Sequence, residues 1–215
     1  MYDIVVIGGG PAGVTAALRA RELGASVALV EKDRIGGTCT NDGCVPTRVL
    51  GRTARHLRNY KQFNNYGIEL DSVPRLDMKA AIQRVHKTVQ EVHDKKQLVD
   101  HLQNVRIPTV TGVGQTWFED PHTLAFENGG QLKSDGFVLC VGGRPRKLGF
   151  PGAEHAITHL DVWDMDTLPP RIAIVGSGAT GCQFTSIFVD FGAEVTLLEI
   201  ADRILVTEDI DVAED

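Results

Sequence analysis

Cys39 and Cys44 are the strongest candidates in this sequence for a reactive site. They are separated by four residues in the polar segment GGTCTNDGCVP. The spacing is not a usual zinc-binding pattern, and no second cysteine or histidine pair follows at ligand distance, so we predict no metal site. Two cysteines on one irregular helical turn can meet the geometric demands of a disulfide. Buried structural thiols are the alternative, but the polar surroundings favour a redox-active pair.

Pro46 indicates that a helix begins close to the second cysteine. Proline suits the first turn of a helix because its missing amide hydrogen would have no intrahelical partner there. Cys44 would then lie near the helix N-terminus, which favours the thiolate form of a cysteine. A thiolate beside a flavin ring can exchange electrons with it, so this segment is suited to flavin-dependent redox chemistry.

A repeated glycine-rich motif would supply binding sites for dinucleotides. The segment IVVIGGGPAGVTAALRARELGASVALVE at 4–31 is matched, at a constant offset of 168, by IAIVGSGATGCQFTSIFVDFGAEVTLLE at 172–199. Each copy has the pattern of a strand, a G-x-G-x-x-G turn, an amphipathic helix and a second strand that ends in glutamate. Packing alone could explain one copy. Two complete copies predict two dinucleotides, for which FAD and a nicotinamide nucleotide are the usual pair.

Each position of this motif has its own physical role. The first glycine allows a tight turn, the second lets the backbone approach a pyrophosphate, and the third lets the helix pack closely on the strand. The amide groups and dipole at the helix start favour the phosphate charge, and the final glutamate would accept hydrogen bonds from ribose hydroxyls. These positions are Gly8, Gly10, Gly13 and Glu31 in the first copy, and Gly176, Gly178, Gly181 and Glu199 in the second.

The composition is that of a soluble globular protein. Of its 215 residues, 42% are hydrophobic and 23% are charged, and the formal net charge is −6. This charge provides no basic field for nucleic acid or anionic lipid, so we predict neither as a partner. The chain opens directly with a strand rather than a signal peptide, and its apolar runs are too short to cross a membrane. We therefore expect a cytoplasmic protein.

The segment GGTCTNDGCVP resembles the active-site motif of the pyridine nucleotide-disulfide oxidoreductases, the family that includes dihydrolipoamide dehydrogenase, glutathione reductase and mercuric reductase. IVVIGGGPAG resembles the family's FAD motif, FVLCVGGRPRKLGFPG its second flavin signature, and LPPRIAIVGSGATG the start of its nicotinamide domain. The resemblance covers essentially the whole chain. It implies an enzyme that passes electrons from NAD(P)H through FAD and a Cys39–Cys44 disulfide to a disulfide or related acceptor.

The resemblance also implies roles for individual residues. Cys39 would be the interchange thiol that attacks the substrate disulfide, and Cys44 the thiol that faces the flavin. Arg48 stands where many members have a lysine beside the flavin. The residues that would contact FAD are Gly8, Gly10, Gly13, Glu31, Gly37, Thr38, Gly114 and Gly142, and those that would contact the nicotinamide nucleotide are Gly176, Gly178, Gly181 and Glu199.

The nucleotide preference can be inferred from the end of the second repeat. The carboxylate of Glu199 would repel the 2′-phosphate of NADPH, so NADH is favoured. Arg203, which could attract that phosphate, lies close by in the sequence.

Four residues depart from the family pattern. Asp42 stands at a position that is usually apolar, where a carboxylate should disfavour thiolates. Arg48 keeps the positive charge of the lysine but cannot donate a proton, and Gln183 replaces the glutamate that usually pairs with that lysine. We expect these two changes to compensate one another, since an arginine could hydrogen-bond a glutamine. Ala179 replaces a bulkier residue that can gate the nicotinamide pocket.

The sequence therefore predicts an α/β fold in two parts. Residues 1–150 would form a Rossmann-like FAD-binding domain of three layers, in which a parallel sheet is joined by a β-meander. Residues 151–215 would begin a second Rossmann-like domain that binds NAD(P). Asn128-Gly129-Gly130 is a predicted hairpin turn within the meander. The predicted meander strands lie near Arg106–Thr111, Gly114–Phe118, Thr123–Phe126 and Gly136–Cys140.

We expect the chain to be part of a longer enzyme, because the second repeat supplies only one βαβ unit. The family continues with a dimerisation domain that carries a His-Glu acid-base pair, so a homodimer is expected of the family but not of this chain. Alone, the chain should turn over poorly. The alternatives are an FAD-binding fragment without activity, and a flavin monooxygenase-like enzyme, which would not need the two cysteines.

A long polar helix is predicted from about Asp77 to Gln103. His86, His93 and His101 follow one another along it at spacings of seven and eight residues. A metal site would need closer spacing or supporting acids. We interpret the three histidines as part of a solvated helix face.

Overall fold

A computed structural model describes residues 1–146 and 148–214. Its strands are β1 Tyr2–Ile7, β2 Val27–Glu31, β3 Thr109–Thr111, β4 Thr116–Asp120, β5 Thr123–Phe126, β6 Gln131–Leu139, β7 Arg171–Val175 and β8 Glu194–Leu198. Its α-helices are α1 Pro11–Glu22, α2 Gly37–Asn41, α3 Cys44–Asn59, α4 Met78–Lys96, α5 Leu98–Asn104, α6 Ala179–Phe191 and α7 Ile210–Glu214. Short 3₁₀ turns lie at Tyr60–Tyr66, Ala153–His155 and Asp161–Asp164.

The chain forms two compact units. One consists of Met1–Cys44 with Val89–Ala156, and the other of Val45–Thr88 with Ile157–Asp215. The segment 45–88 therefore belongs to the same unit as the second glycine motif. The predicted division at residue 150 concerns which cofactor each part binds, and it stays a prediction.

The first unit is built on a six-stranded sheet with the order β3-β2-β1-β6-β5-β4. Strand β1 pairs in parallel with β2 and β6, and β2 pairs in parallel with β3. The central strands are buried on both faces, as their continuous β-branched sequences predict: Val5, Val6, Ala28 and Leu29 are fully buried. The chain leaves β1 toward β2 on one side and returns as β6 on the other, so the carboxyl end of β1 is a topological switch point, where ligands of such sheets bind.

The β-meander is confirmed in the same sheet, but with three strands rather than four. The strand predicted near Arg106–Thr111 is β3, which pairs in parallel with β2 at the opposite edge of the sheet. Strand β5 pairs antiparallel with β4 and β6, and the predicted Asn-Gly-Gly turn connects β5 to β6. Strand β6 is longer than predicted and begins at Gln131. Its first residues pair with β5 and its later residues pair with β1, so β6 joins the meander to the parallel strands.

The predicted long helix is interrupted. Helix α4 ends at Lys96 and α5 begins at Leu98, because Gln97 adopts a left-handed conformation with φ 46°. A single non-glycine residue in this conformation breaks the helical hydrogen-bonding pattern. The sequence offered no glycine or proline to mark this break.

The second unit contains the parallel pair β7 and β8, connected by α6. Helix α6 packs its aromatic side chains into a core with helices α3 and α4. Phe184 and Phe188 stack with ring centroids 5.6 Å apart, and Trp163 lies 5.9 Å from Phe184. The α/β fold, a mainly parallel Rossmann-like sheet followed by a second βαβ unit, is therefore confirmed. No helix within the described ranges is long and apolar enough to span a membrane.

Candidate functional site

The first glycine motif forms the tight turn between β1 and α1. Gly8 has φ 109°, and a Cβ atom there would lie 2.1 Å from the carbonyl oxygen of Cys140. A Cβ atom on Gly13 would lie 1.8 Å from the carbonyl oxygen of Gly8. In the second unit, a Cβ on Gly181 would lie 1.9 Å from the oxygen of Gly176. The first and third glycines of the motif are therefore required by the fold itself.

Neither backbone conformation nor packing within the described residues requires glycine at the middle position of each motif. Gly10 has φ −75°, which any residue adopts, and a Cβ there would meet its nearest neighbour at an ordinary 3.6 Å. Gly178 has φ −68°, and no described atom lies within 4 Å of its Cβ position. Both precede the first helical residue, where amide groups point outward without intrahelical partners. Open space, exposed amides and a missing side chain fit the approach of a phosphate group.

Glu31 and Glu199 each fix the glycine loop of their own unit. An Oε atom of Glu31 accepts a hydrogen bond from the Gly9 amide at 2.6 Å, and the other accepts one from Asp33 at 3.1 Å. Oε2 of Glu199 accepts hydrogen bonds from the Ser177 amide at 2.8 Å and the Ser177 hydroxyl at 2.6 Å. The carboxylates predicted to bind ribose thus also hold the glycine loop of their own unit in place.

The hydrogen bonds to Glu199 strongly favour its charged form. The Ser177 hydroxyl contributes most, followed by the backbone amides of Ala201 and Ser177, and together they lower the pKa of Glu199 to about 2. Glu199 therefore places a fixed negative charge at the end of β8 throughout the physiological pH range.

The segment that carries the cysteines lies directly against the first glycine loop. Gly37 has φ 63°, and a Cβ atom on it would lie 2.7 Å from the Cα of Gly10. The Gly36 amide donates a hydrogen bond to the Gly9 carbonyl at 2.9 Å. The structure thus brings the predicted FAD-binding residues Gly10 and Gly37 together backbone to backbone.

The two cysteines lie on consecutive helices. Cys39 is in the five-residue helix α2, and Cys44 is the first residue of α3, as Pro46 predicted. Both are exposed, whereas Cys140 and Cys182 are half-buried. The alternative of two buried structural thiols is therefore wrong for Cys39 and Cys44. All four cysteines are described as thiols, so the Cys39–Cys44 disulfide remains a prediction.

The other residues predicted to contact FAD are Gly114, Gly142, Thr38 and Arg48. Gly114 has φ 70° and donates its amide hydrogen to the Lys32 carbonyl, just beyond the end of β2. Gly142 has φ 66°, and no described atom lies within 4 Å of its Cβ position. Thr38 is exposed on α2, and Arg48 is exposed four residues after Cys44 on α3. Their contacts with a cofactor stay predictions.

His93 is a residue whose environment the sequence did not reveal. We interpreted it as solvated, but it is half-buried, and its Nε2 atom lies 2.7 Å from Oδ1 of Asn41 on α2. Burial lowers its pKa, and the positive charges of Arg34 and Lys96 lower it further. The two partners are 52 residues apart, so no local sequence signal could have paired them.

The sequence of this chain matches a known family. Residues 2–214 match the pyridine nucleotide-disulphide oxidoreductase family. The chain belongs to that family. Membership of this family indicates oxidoreductase chemistry.

Several curated relatives within the family are dihydrolipoyl dehydrogenases. The chain is 35% identical to a dihydrolipoyl dehydrogenase of Bacillus subtilis strain 168, across 100% of the chain and 47% of the relative. It is 30% identical to a dihydrolipoyl dehydrogenase of Acholeplasma laidlawii, across 98% of the chain and 63% of the relative. The chain spans about half the length of most of the curated relatives that it matches.

Proposed function

We propose that the chain is the FAD-binding and disulfide-bearing part of an NAD(P)H-dependent disulfide oxidoreductase. Electrons would pass from NAD(P)H through FAD to a Cys39–Cys44 disulfide, and from the reduced pair to a disulfide acceptor similar to lipoamide. The observation that carries this proposal is the cysteine pair itself. Both thiols are exposed, and their segment contacts the first glycine loop at Gly37 and Gly10.

The residues around this loop fit FAD. The amides after Gly10 would hold the pyrophosphate, and Glu31, which faces the loop, would accept a ribose hydroxyl hydrogen. When bound, FAD would supply the two-electron carrier between the nicotinamide and the disulfide. Gly8, Gly13, Thr38, Gly114 and Gly142 would complete its surroundings, and Arg48 would add a positive charge. In this proposal, residues 1–150 form the FAD domain.

The two cysteines would have different roles in the reduction of the acceptor disulfide. Cys44, the first residue of α3, would be the thiol that faces the flavin. Cys39 would attack the acceptor disulfide, form a mixed disulfide and release one thiol of the acceptor. Cys44 would then attack Cys39 in that mixed disulfide, release the second acceptor thiol and restore the oxidised pair.

The second glycine loop would bind NADH in preference to NADPH. Glu199 carries a fixed negative charge at the end of β8, which disfavours a 2′-phosphate. Arg203, the nearby cation, donates its hydrogen bonds to the carbonyl oxygens of Leu205, Val206 and Glu208. Its guanidinium is therefore committed to its own loop, which supports the preference for NADH.

The visible spectrum of the purified chain tests the proposal. We expect a yellow protein, or one that becomes yellow with added FAD. On anaerobic addition of dithiothreitol, it should gain a long-wavelength absorption band from a thiolate beside the flavin. Cys44→Ser should abolish this band, while Cys39→Ser should keep it.

Two results would contradict the proposal. A chain that takes up no FAD would show that the first glycine loop does not bind this cofactor. A yellow chain whose spectrum after reduction is the same in the wild type and in Cys44→Ser would show that the cysteine does not serve the flavin.

A further inference from the structure

Helix α2, which carries Cys39, cannot hold its own position. It has only five residues, and isolated helices this short are unstable in water. Gly36 precedes it with φ 124°, its first residue Gly37 has φ 63°, and Gly43 lies two residues beyond its end. A short helix between glycines depends on tertiary contacts for its orientation.

The C-terminal part of α4 supplies those contacts. The Nε2 atom of His93 lies 2.7 Å from Oδ1 of Asn41, the last residue of α2. The Nζ atom of Lys96 donates a hydrogen bond to Oγ1 of Thr40 at 3.1 Å. The side chain of Thr40 is 2% exposed, whereas Cys39 beside it is exposed. Helix α2 therefore turns one side toward α4 and leaves its reactive thiol accessible.

The hydrogen bonds of Asn41 show which atom donates and which accepts in its contact with His93. The Nδ2 atom of Asn41 donates to the Arg34 carbonyl at 3.0 Å, which leaves Oδ1 as the acceptor for His93. His93 must therefore carry its hydrogen on Nε2. The ring also lies against the backbone before α2, because a Cβ atom on Gly36 would be 3.0 Å from its Cε1 atom.

We propose that His93 and Lys96 are positioning residues for the redox pair. They hold α2 so that Cys39 stays in the orientation required for disulfide formation with Cys44. The proposal rests on the function proposed above, in which these two thiols form a disulfide. Because a fixed orientation raises the effective concentration of one thiol toward the other, loss of the contacts should weaken disulfide formation.

The test measures the equilibrium between the reduced and oxidised pair in glutathione buffers, without flavin reduction or turnover. The whole chain is equilibrated, quenched with acid, alkylated and digested, and the Cys39–Cys44 peptide is quantified by mass spectrometry. His93→Ala should lower the equilibrium constant for the disulfide about fivefold, the factor expected for one net hydrogen bond. His93→Gln, which keeps a donor at a similar distance, should restore it to within about twofold.

Two further variants complete the design. His101→Ala removes an exposed histidine from α5 and should leave the constant unchanged. Lys96→Met removes the bond to Thr40 and should lower the constant, and it provides the same test if His93→Ala does not fold. Near-UV circular dichroism checks that each variant is folded. Thermal unfolding is the second control, because a variant that only loses stability would have a lower thermal midpoint but an unchanged thiol–disulfide equilibrium in the folded chain.

The outcomes separate this inference from the proposed function. If the wild type gains the long-wavelength band but His93→Ala and Lys96→Met form the disulfide as readily as the wild type, the positioning role is wrong. It is also wrong if His93→Gln is as impaired as His93→Ala. If the wild type forms the disulfide but never gains the band, the proposed flavin function fails while the positioning result still stands.

Discussion

At the scale of single residues, the second glycine loop depends on one carboxylate. Glu199 accepts hydrogen bonds from both the amide and the hydroxyl of Ser177, and its other oxygen accepts from Ile200 and Ala201. Ser177 is fully buried, so its hydroxyl has a fixed partner. The same carboxylate would therefore order the loop and repel a 2′-phosphate.

We predict that Glu199 titrates with a pKa of about 2 in the folded chain, below its ordinary value of 4.5. Because the folded pKa is depressed, its contribution to stability is present above pH 4.5 and is lost as the pH falls toward 2. Nuclear magnetic resonance of the labelled carboxyl carbon measures this directly. Ser177→Ala should move the pKa upward, since the serine hydroxyl is the largest cause of the shift. An unchanged pKa in Ser177→Ala would contradict this assignment.

At the scale of elements, the turn between β1 and α1 contains one glycine that the fold requires and another that we expect only ligand binding to require. Gly13 is needed because α1 packs against the carbonyl oxygen of Gly8. Gly10 is needed by neither backbone conformation nor packing within the chain. Two glycines of one motif should therefore respond differently to the same substitution.

Gly10→Ala should leave the thermal midpoint within about 2 °C of wild type, since the added Cβ would make only an ordinary contact of 3.6 Å with Gly37. It should weaken FAD binding by at least about tenfold, because the methyl group would occupy the space of the pyrophosphate. Gly13→Ala is the matched variant and should lower stability markedly, because its Cβ would lie 1.8 Å from the Gly8 oxygen. Thermal unfolding and fluorescence titration with FAD measure the two effects. Equal destabilisation by both substitutions would contradict the prediction that Gly13 serves folding and Gly10 serves FAD binding.

At the scale of the whole molecule, each unit has a hydrophobic core and a glycine loop of its own. The cores of the first unit lie on the two faces of the six-stranded sheet, formed by residues such as Leu29 and Leu102 on one side and Leu124 and Phe126 on the other. A ligand that binds the native loop adds its binding free energy to the stability of that unit.

FAD should therefore raise the unfolding midpoint of the chain in a concentration-dependent way. At a hundredfold excess over the dissociation constant, the expected stabilisation is about 2.7 kcal/mol. Thermal unfolding followed by circular dichroism at increasing FAD concentrations measures this. Gly10→Ala should show no comparable rise at the same concentrations. A midpoint that is independent of FAD in the wild type would contradict FAD binding at this loop.

The sequence alone determined the features that depend on short stretches of chain. The strand, the glycine turn and the helix of each repeat were predicted at 4–31 and 172–199, because their residues lie within a few positions of their partners. The start of α3 near Cys44 followed from Pro46, and the Asn-Gly-Gly turn fixed the connection from β5 to β6. Local backbone preferences suffice for such elements.

Contacts between distant residues could be seen only in the folded chain. The break at Gln97 has no glycine or proline to mark it, and it separates α4 from α5 within what the sequence presents as one helix. The contact of His93 with Asn41 joins residues 52 positions apart, and the approach of Gly37 to Gly10 depends on the return of the chain after β2. These contacts depend on how helices and loops pack against the sheet, which periodicity and spacing along one chain do not encode.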